Sequence, residues 1–362
     1  MGCETKLWLW FVVLFLSVAL KQHFMLGLPQ VPCLFIFGDS LSDCGNNNNL
    51  STNAKVNHLP YGIDFPIGPT GRFTNGRTAA DFITQYLGFE NLIPPFANTT
   101  GSDIIHGVNY ASGAAGIRIE TGSHLGENIC LEEQIKNHKV IISQINEKLG
   151  SEQEAEEHIN KCLYYINIGS NDYLNNYFMK TRYPTHKMYT PEQYAVSLAH
   201  EYSIQLKELH DLGARKFALF GLGLVGCVPM EIATHRGNGT ICVEEENEAA
   251  NIFNERVKVL VDQFNNDLSD AKFILINSDA IDSINLQLSG GRGSNDFIKC
   301  CKVGMTGLCE PNSEPCNDRN IVPFFDGYHP TERFQQINAM SAYRAPVPSM
   351  AYPMDISHLV TS

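Results

Sequence analysis

The sequence predicts an α/β domain built on a mainly parallel sheet with helices packed on both faces. Two observations carry that expectation. First, Cys33-Leu-Phe-Ile-Phe37, Leu163-Tyr-Tyr-Ile-Asn-Ile168, Phe217-Ala-Leu-Phe220 and Phe273-Ile-Leu-Ile276 are apolar almost throughout, where a strand with one wet face would alternate. Second, the segments between them repeat their apolar residues every three or four positions, as helices covering a buried sheet do. No Pro/Ser-rich linker, charge run or internal repeat divides the chain, so residues 28–362 are expected to form a single domain.

The elements can be justified in order. Leu7–Leu20 is an apolar run of 14 residues behind Lys6, which suits a secretory h-region and is short for a membrane span of roughly 20 residues. Residues 1–27 are therefore expected to be a signal peptide, cut between 19 and 27, either after Ser17-Val18-Ala19 or nearer Gly27. An uncleaved signal anchor is the alternative. Leu131, Ile135, Ile142, Ile145 and Leu149 form one helical stripe. Tyr194, Leu198, Tyr202, Leu206 and Leu209 form a second, opened by Thr190-Pro191-Glu192-Gln193 (an N-cap, a first-turn proline and a capping-box glutamine) and stopped at Gly213. A third stripe joins Phe253, Val257, Leu260, Phe264 and Leu268.

Composition narrows the function. Lys and Arg number 26 against 39 Asp and Glu, a net charge of −13, and no basic cluster is present to hold nucleic acid or an anionic membrane surface. With 43% apolar and only 18% charged residues, the chain can bury a large core. Of 11 cysteines, Cys3 would leave with the signal peptide. Cys300, Cys301, Cys309 and Cys316 crowd a Gly/Pro/Asn-rich stretch, and Cys227 and Cys242 flank a polar loop. In an exported chain such cysteines pair as disulfides, and no histidine sits among them at metal-ligand spacing. Connectivity stays open, as does whether Cys33 and Cys162 are free thiols. Sequons at Asn49, Asn98 and Asn238 lie in polar stretches expected to be glycosylated loops. With no retention signal or lipid-anchor tail, the expected location is extracellular, with no stable membrane anchor once the signal is cut.

In a parallel sheet the ligand sits beyond the carboxyl ends of the strands. After the first apolar run comes Gly38-Asp39-Ser40-Leu41-Ser42-Asp43, which exposes a serine on a tight turn. After the second comes Gly169-Ser170-Asn171-Asp172, with an amide side chain at the same edge. Near the C-terminus Asp326-Gly-Tyr-His329 spaces a carboxylate to accept a histidine's second ring proton. A nucleophile, a base, an orienting carboxylate and an oxyanion donor can thus come from three separated segments. The plainer alternative is that Asp326 only caps a helix beginning at Pro330.

At these residues the chain resembles the plant GDSL-type esterases and lipases of the SGNH hydrolase superfamily. The resemblance rests on Phe35-Ile-Phe-Gly-Asp-Ser-Leu-Ser-Asp43 with Gly45-Asn-Asn-Asn48, and on Gly107-Val-Asn-Tyr-Ala-Ser-Gly-Ala-Ala-Gly116. It continues through Gly169-Ser-Asn-Asp172 and Asp326-Gly-Tyr-His-Pro-Thr-Glu332, with Gly68–Arg77 between the first two blocks. It implies a three-layer α/β/α sandwich of the SGNH, flavodoxin-like kind and hydrolysis of a small-molecule or lipid ester. Ser40, His329 and Asp326 would be the catalytic triad, with an acyl-enzyme on Ser40. The oxyanion hole would be the N–H groups of Ser40 and Gly113 and the Asn171 amide. It implies no metal and no cofactor. The chain departs from the family's pattern at Cys44, which could add redox sensitivity beside the nucleophile, at Phe325 and at Ala114.

Other features are expected to be structural. Gly221-Leu-Gly-Leu-Val-Gly226 spells a dinucleotide-binding pattern, but Pro229 and a sequon loop follow it instead of an uninterrupted helix. Gly68–Gly76 lacks the Lys of a phosphate loop and reads as a turn-rich segment near the site. Most of the other histidines are expected at the surface or at helix caps. Two rival functions share the fold: an acyltransferase using the same serine with a sugar or polyol acceptor, and a non-catalytic secreted binding protein.

Overall fold

Leu34–Gly38 forms β1 with all of its residues buried. Leu163–Asn167 (β2), Lys216–Phe220 (β3) and Lys272–Ile276 (β4) join it as a parallel ladder in sequence order. The register sets Leu34 opposite Leu163, Leu163 opposite Lys216 and Lys216 opposite Lys272, so the carboxyl ends of all four strands lie level at one edge. These features belong to a computed structural model describing residues 27–99, 103–235, 242–288 and 299–362. Most of the expected signal peptide and the Asn238 sequon lie outside the described residues. A fifth strand, Ala351–Tyr352 (β5), pairs antiparallel with β4; two residues are too few to leave a periodic signal in the sequence.

Helices cover both faces. Alternation along each strand sends Phe35, Phe37, Tyr164, Ile166, Phe217 and Phe273 to one face. There they pack against Leu131–Leu149 (α2), Glu152–Ile159 (α3), Pro191–Asp211 (α4) and Glu244–Asp267 (α6). Leu34, Ile36, Tyr165, Ala218 and Ile274 go to the other face, under Ala79–Tyr86 (α1), Ser278–Leu288 (α7), Glu332–Tyr343 (α8) and Ile356–Thr361 (α9). A short helix, Pro229–Thr234 (α5), follows β3. The three apolar stripes read from the sequence are the buried faces of α2, α4 and α6. Thr190 and Gln193 form the expected capping box of α4. The fold is the expected α/β sandwich, a mainly parallel sheet with helices on both faces.

Two features tie β1 to its surroundings. Its outer edge takes an extended segment: Ile36 N donates to the Val108 carbonyl at 3.0 Å and Tyr110 N to the Ile36 carbonyl at 2.7 Å. Gly107 enters that segment at φ 114°, and a Cβ there would lie 1.9 Å from the Leu34 carbonyl oxygen, so only glycine fits. At the other end Cys33 is bonded to Cys162, linking the starts of β1 and β2, so neither is a free thiol. The free cysteines among the described residues are Cys44 and Cys130, both buried.

One histidine departs from the surface expectation. His138 of α2 is fully buried, between the Tyr110 hydroxyl at 3.0 Å and the Tyr164 hydroxyl at 3.1 Å. Two hydroxyls satisfy the imidazole without charging it, and burial holds its pKa down at about 3. No helix among the described residues is long and apolar enough to cross a membrane.

Candidate active site

Ser40 stands two residues past the end of β1. The turn holding it is fixed by Gln134, whose amide accepts from Gly38 N at 2.9 Å and donates to the Gly38 carbonyl at 2.8 Å. The Asp39 side chain closes the turn by accepting from Leu41 N at 2.9 Å. The Ser40 hydroxyl then reaches His329 Nε2 at 2.8 Å, across 289 residues of sequence. On the other side of the ring, His329 Nδ1 donates toward both oxygens of Asp326, at 2.9 and 2.8 Å. Two of the three segments picked out by sequence, those of Ser40 and of Asp326–His329, converge on one hydrogen-bonded line. Asp326 also accepts from the backbone N–H groups of Tyr328 and His329, each at 2.8 Å, so it does shape a turn. But α8 begins only at Glu332 and its N-cap is Thr331, so Asp326 does not cap that helix.

Two supports of this line were not legible in the sequence. The Tyr61 hydroxyl donates to Asp326 Oδ2 at 2.6 Å and accepts from Cys309 N at 2.9 Å. Phe73, from the Gly68–Arg77 segment, tilts against the His329 ring with centroids 4.9 Å apart. Both aromatics sit in a small core with Phe325, Val56 and the cysteines of two disulfides, Cys300–Cys316 and Cys301–Cys309. The cysteine cluster is therefore the floor beneath the Asp326–His329 loop. Gly68–Arg77 is anchored from below by the buried pair of Arg72 and Asp81 at 2.7 Å. Tyrosine and phenylalanine in loops carry no periodic signal, and only the tertiary contact identifies them.

The oxyanion candidates are partly as expected. Ser40 N has no backbone acceptor among the described residues. Asn171, just after β2, gives one amide proton to the Ala115 carbonyl at 2.9 Å and accepts from Asn175 at 2.6 Å, leaving the second amide proton uncommitted. Gly113 differs from expectation: its N–H donates to Asp43 Oδ2 at 2.9 Å. A Cβ on Gly113 would strike the Phe73 ring at 2.6 Å and the Asn47 amide at 2.7 Å, so glycine is needed there for packing, not to admit a substrate. The next residue, Ala114, lines the cavity, takes φ 66°, and its N–H has no backbone acceptor among the described residues. That left-handed backbone strains an alanine by roughly 1 kcal/mol. Asn46 and Asn47 stitch the two segments together through the carbonyls of Asn109, Ala111 and Gly113.

A cavity of about 440 Å³ opens from Ser40, Ala114, Asn171 and His329. Its walls include Leu125, Leu174, Phe220, Val225, Ile281 and Phe334. The 221–226 glycine pattern supplies wall and packing: a Cβ at Gly223 would meet Asp282 and one at Gly226 the Val243 carbonyl. Burial pushes Asp39 up to about 7 against the pull of the Leu41 amide and then of the nearby His329. Burial also raises Asp43 to about 6, opposed by the backbone amides it accepts from, Gly45 and Gly113 first. Cys44 does not confer the redox sensitivity expected of it: it is buried against the Ile93 carbonyl, and burial drives its thiol far from a reactive thiolate. Asn49 and Asn98 are exposed, as sequons must be.

Residues 34–342 match the family described as GDSL-like Lipase/Acylhydrolase. Two Arabidopsis thaliana proteins named GDSL esterase/lipase are 48% and 46% identical, over 98% and 97% of this chain and 99% and 96% of their own lengths. A third, from the same plant, is 45% identical over 95% of this chain and 96% of its own.

Proposed function

This chain belongs to the GDSL-like lipase/acylhydrolase family and is a hydrolase of carboxylic esters, and on that premise we propose that Ser40, His329 and Asp326 carry the reaction. The contact that supports this reading above all others is the 2.8 Å approach of His329 Nε2 to Ser40 Oγ. Ser40 Oγ attacks the ester carbonyl while His329 takes the hydroxyl proton. The imidazolium then returns that proton to the departing alcohol, leaving an acyl group on Ser40. Water attacks the acyl-enzyme with His329 again as base, and the acid leaves. Asp326 fixes the ring with its proton on Nδ1 and stabilises the imidazolium.

We assign the oxyanion to the Ser40 N–H, the free Asn171 amide proton and the Ala114 N–H. Ala114 replaces Gly113 because the Gly113 amide is held by Asp43. Each such donor is worth about 3 kcal/mol of barrier, or a hundredfold or more in rate. The apolar cavity wall suits an acyl chain. Four disulfides, Cys33–Cys162, Cys227–Cys242, Cys300–Cys316 and Cys301–Cys309, fit an oxidising compartment, so we assign the enzyme to the secretory route.

A fluorophosphonate probe tests the assignment. It should label Ser40, and labelling and ester hydrolysis should both vanish in Ser40→Ala. Labelling that persists at another serine, with activity retained, would falsify it. Running the assay on p-nitrophenyl esters of rising chain length, with and without a polyol, also separates hydrolysis from acyl transfer. Sequencing the mature N-terminus should find a start between residues 20 and 28.

A further inference from the structure

Three ionisable side chains behind the Asp326–His329 loop have no part in ester hydrolysis and do not line the cavity. Glu231 lies on α5, His235 caps its end, and Glu246 sits in the first turn of α6. Glu246 is the unusual member: its side chain is only 1% exposed, yet its Oε2 accepts no hydrogen bond among the described residues. His235 Nδ1 lies 3.4 Å from Glu231 Oε2 and 3.8 Å from Glu246 Oε1. One ligand atom from each of the three falls within 4.8 Å of the others. Among the described residues, the nearby basic side chain Lys180 is engaged with Glu245 at 3.7 Å.

A buried carboxylate facing a second carboxylate needs something positive between them. A proton shared by the two acids would meet the need, but it leaves Glu246 Oε2 without a partner among the described residues and makes no use of the imidazole beside both acids. A cation bonded at about 2.0–2.2 Å to nitrogen and oxygen sets neighbouring ligand atoms roughly 3.0–3.5 Å apart. The two separations from His235 Nδ1, 3.4 and 3.8 Å, are within a few tenths of an ångström of that, and the three atoms lie within 4.8 Å of one another. One imidazole and two carboxylates suit a first-row divalent ion, whereas calcium asks for six to eight oxygens.

We propose that Glu231, His235 and Glu246 form a binding site for a divalent transition-metal ion of the zinc type, joining α5 to α6 behind the catalytic loop. The ligating form of His235 carries its proton on Nε2, and the ion displaces the contact of Nδ1 with the Glu231 carbonyl at 3.2 Å. The brace would reach the loop through Met230, whose N–H donates to the Gly327 carbonyl at 2.9 Å, between Asp326 and His329.

The test is calorimetric titration of chelator-treated, full-length protein with Zn²⁺, beside the Glu246→Gln and His235→Ala variants. Glutamine is isosteric with a protonated acid, and His235 is 45% exposed, so neither change threatens the fold. Wild type should bind one ion saturably and gain about 2 °C or more in Tm at saturation. Each variant should lose at least tenfold in affinity and most of that gain. Equal binding by wild type and Glu246→Gln would overturn the site in favour of surface histidines. No binding by wild type would overturn it in favour of a shared proton. Calcium binding as tightly as zinc would overturn the assignment of the ion. All three readouts are independent of ester hydrolysis.

Discussion

Asp326-Gly-Tyr-His329 and Asp355-Ile-Ser-His358 share a spacing and a local geometry. In each, the aspartate accepts from the backbone N–H of the histidine three residues on, at 2.8 and 3.1 Å, and from its Nδ1, at 2.7–2.9 Å. Their surroundings differ. Asp355 is the N-cap of α9, and the His358 side chain is 71% exposed, so its second nitrogen meets water. The His329 side chain is 7% exposed, beneath Phe73, and its second nitrogen meets the hydroxyl of Ser40. An aspartate with a histidine three residues later is thus a local turn in both places. It can become chemistry only where the rest of the fold delivers a nucleophile to the far side of the ring.

Paired substitutions sharpen that contrast. The largest expected effect is His329→Ala, which should lower kcat by about 10⁴-fold or more, while His358→Ala leaves turnover within a factor of two or so. Asp326→Asn should cost roughly 10³- to 10⁴-fold in kcat, because the ring then favours the wrong tautomer. Asp355→Asn should change only stability, by about 1 kcal/mol or less, since asparagine also caps helices. Measuring turnover and Tm on the same preparations decides it; a large rate loss in Asp355→Asn would break the comparison.

Tyr61→Phe removes one hydrogen bond to Asp326 and should lower kcat about tenfold with KM nearly unchanged. A change confined to KM would assign Tyr61 to substrate binding instead.

The smallest effect is on pH dependence, and the carboxyls near the two histidines should act in opposite directions. Asp39, near His329, has its pKa raised from 3.8 to about 7 by burial. Between those values the folded state binds the extra proton, so this group's contribution to stability falls as pH rises. Asp355 is opposite: burial raises it, but hydrogen bonds led by the one from His358 outweigh burial and hold it below 3.8. Its contribution is full above its unfolded value and fades as pH drops through the folded one. Asp39→Asn should therefore gain on wild type by about 2–3 kcal/mol on going from pH 5 to pH 8, seen as a few degrees in Tm. A difference independent of pH would show that Asp39 does not titrate in that window.

The sheet and its main helices were legible in the sequence because burial on two faces and on one face leave different periodicities. The four parallel strands and the stripes of α2, α4 and α6 follow from those patterns alone. Ser40 and Asn171 were legible as candidates because they lie just past β1 and β2, whereas Asp326 and His329, on the loop before α8, were legible from their mutual spacing and the family resemblance. What sequence could not determine is which equivalent-looking group is occupied and which is free. Gly113 and Ala114 are neighbours, and only the reach of Asp43 across 70 residues uses up the amide of the first. Cys33 and Cys162 became partners because β1 and β2 are adjacent, a fact of sheet order. His138 entered the core because Tyr110 and Tyr164 offer it hydroxyls there. Local patterning follows from which residues avoid water. Hydrogen-bond partnership depends on distances between distant segments, and these exist only once the chain has folded.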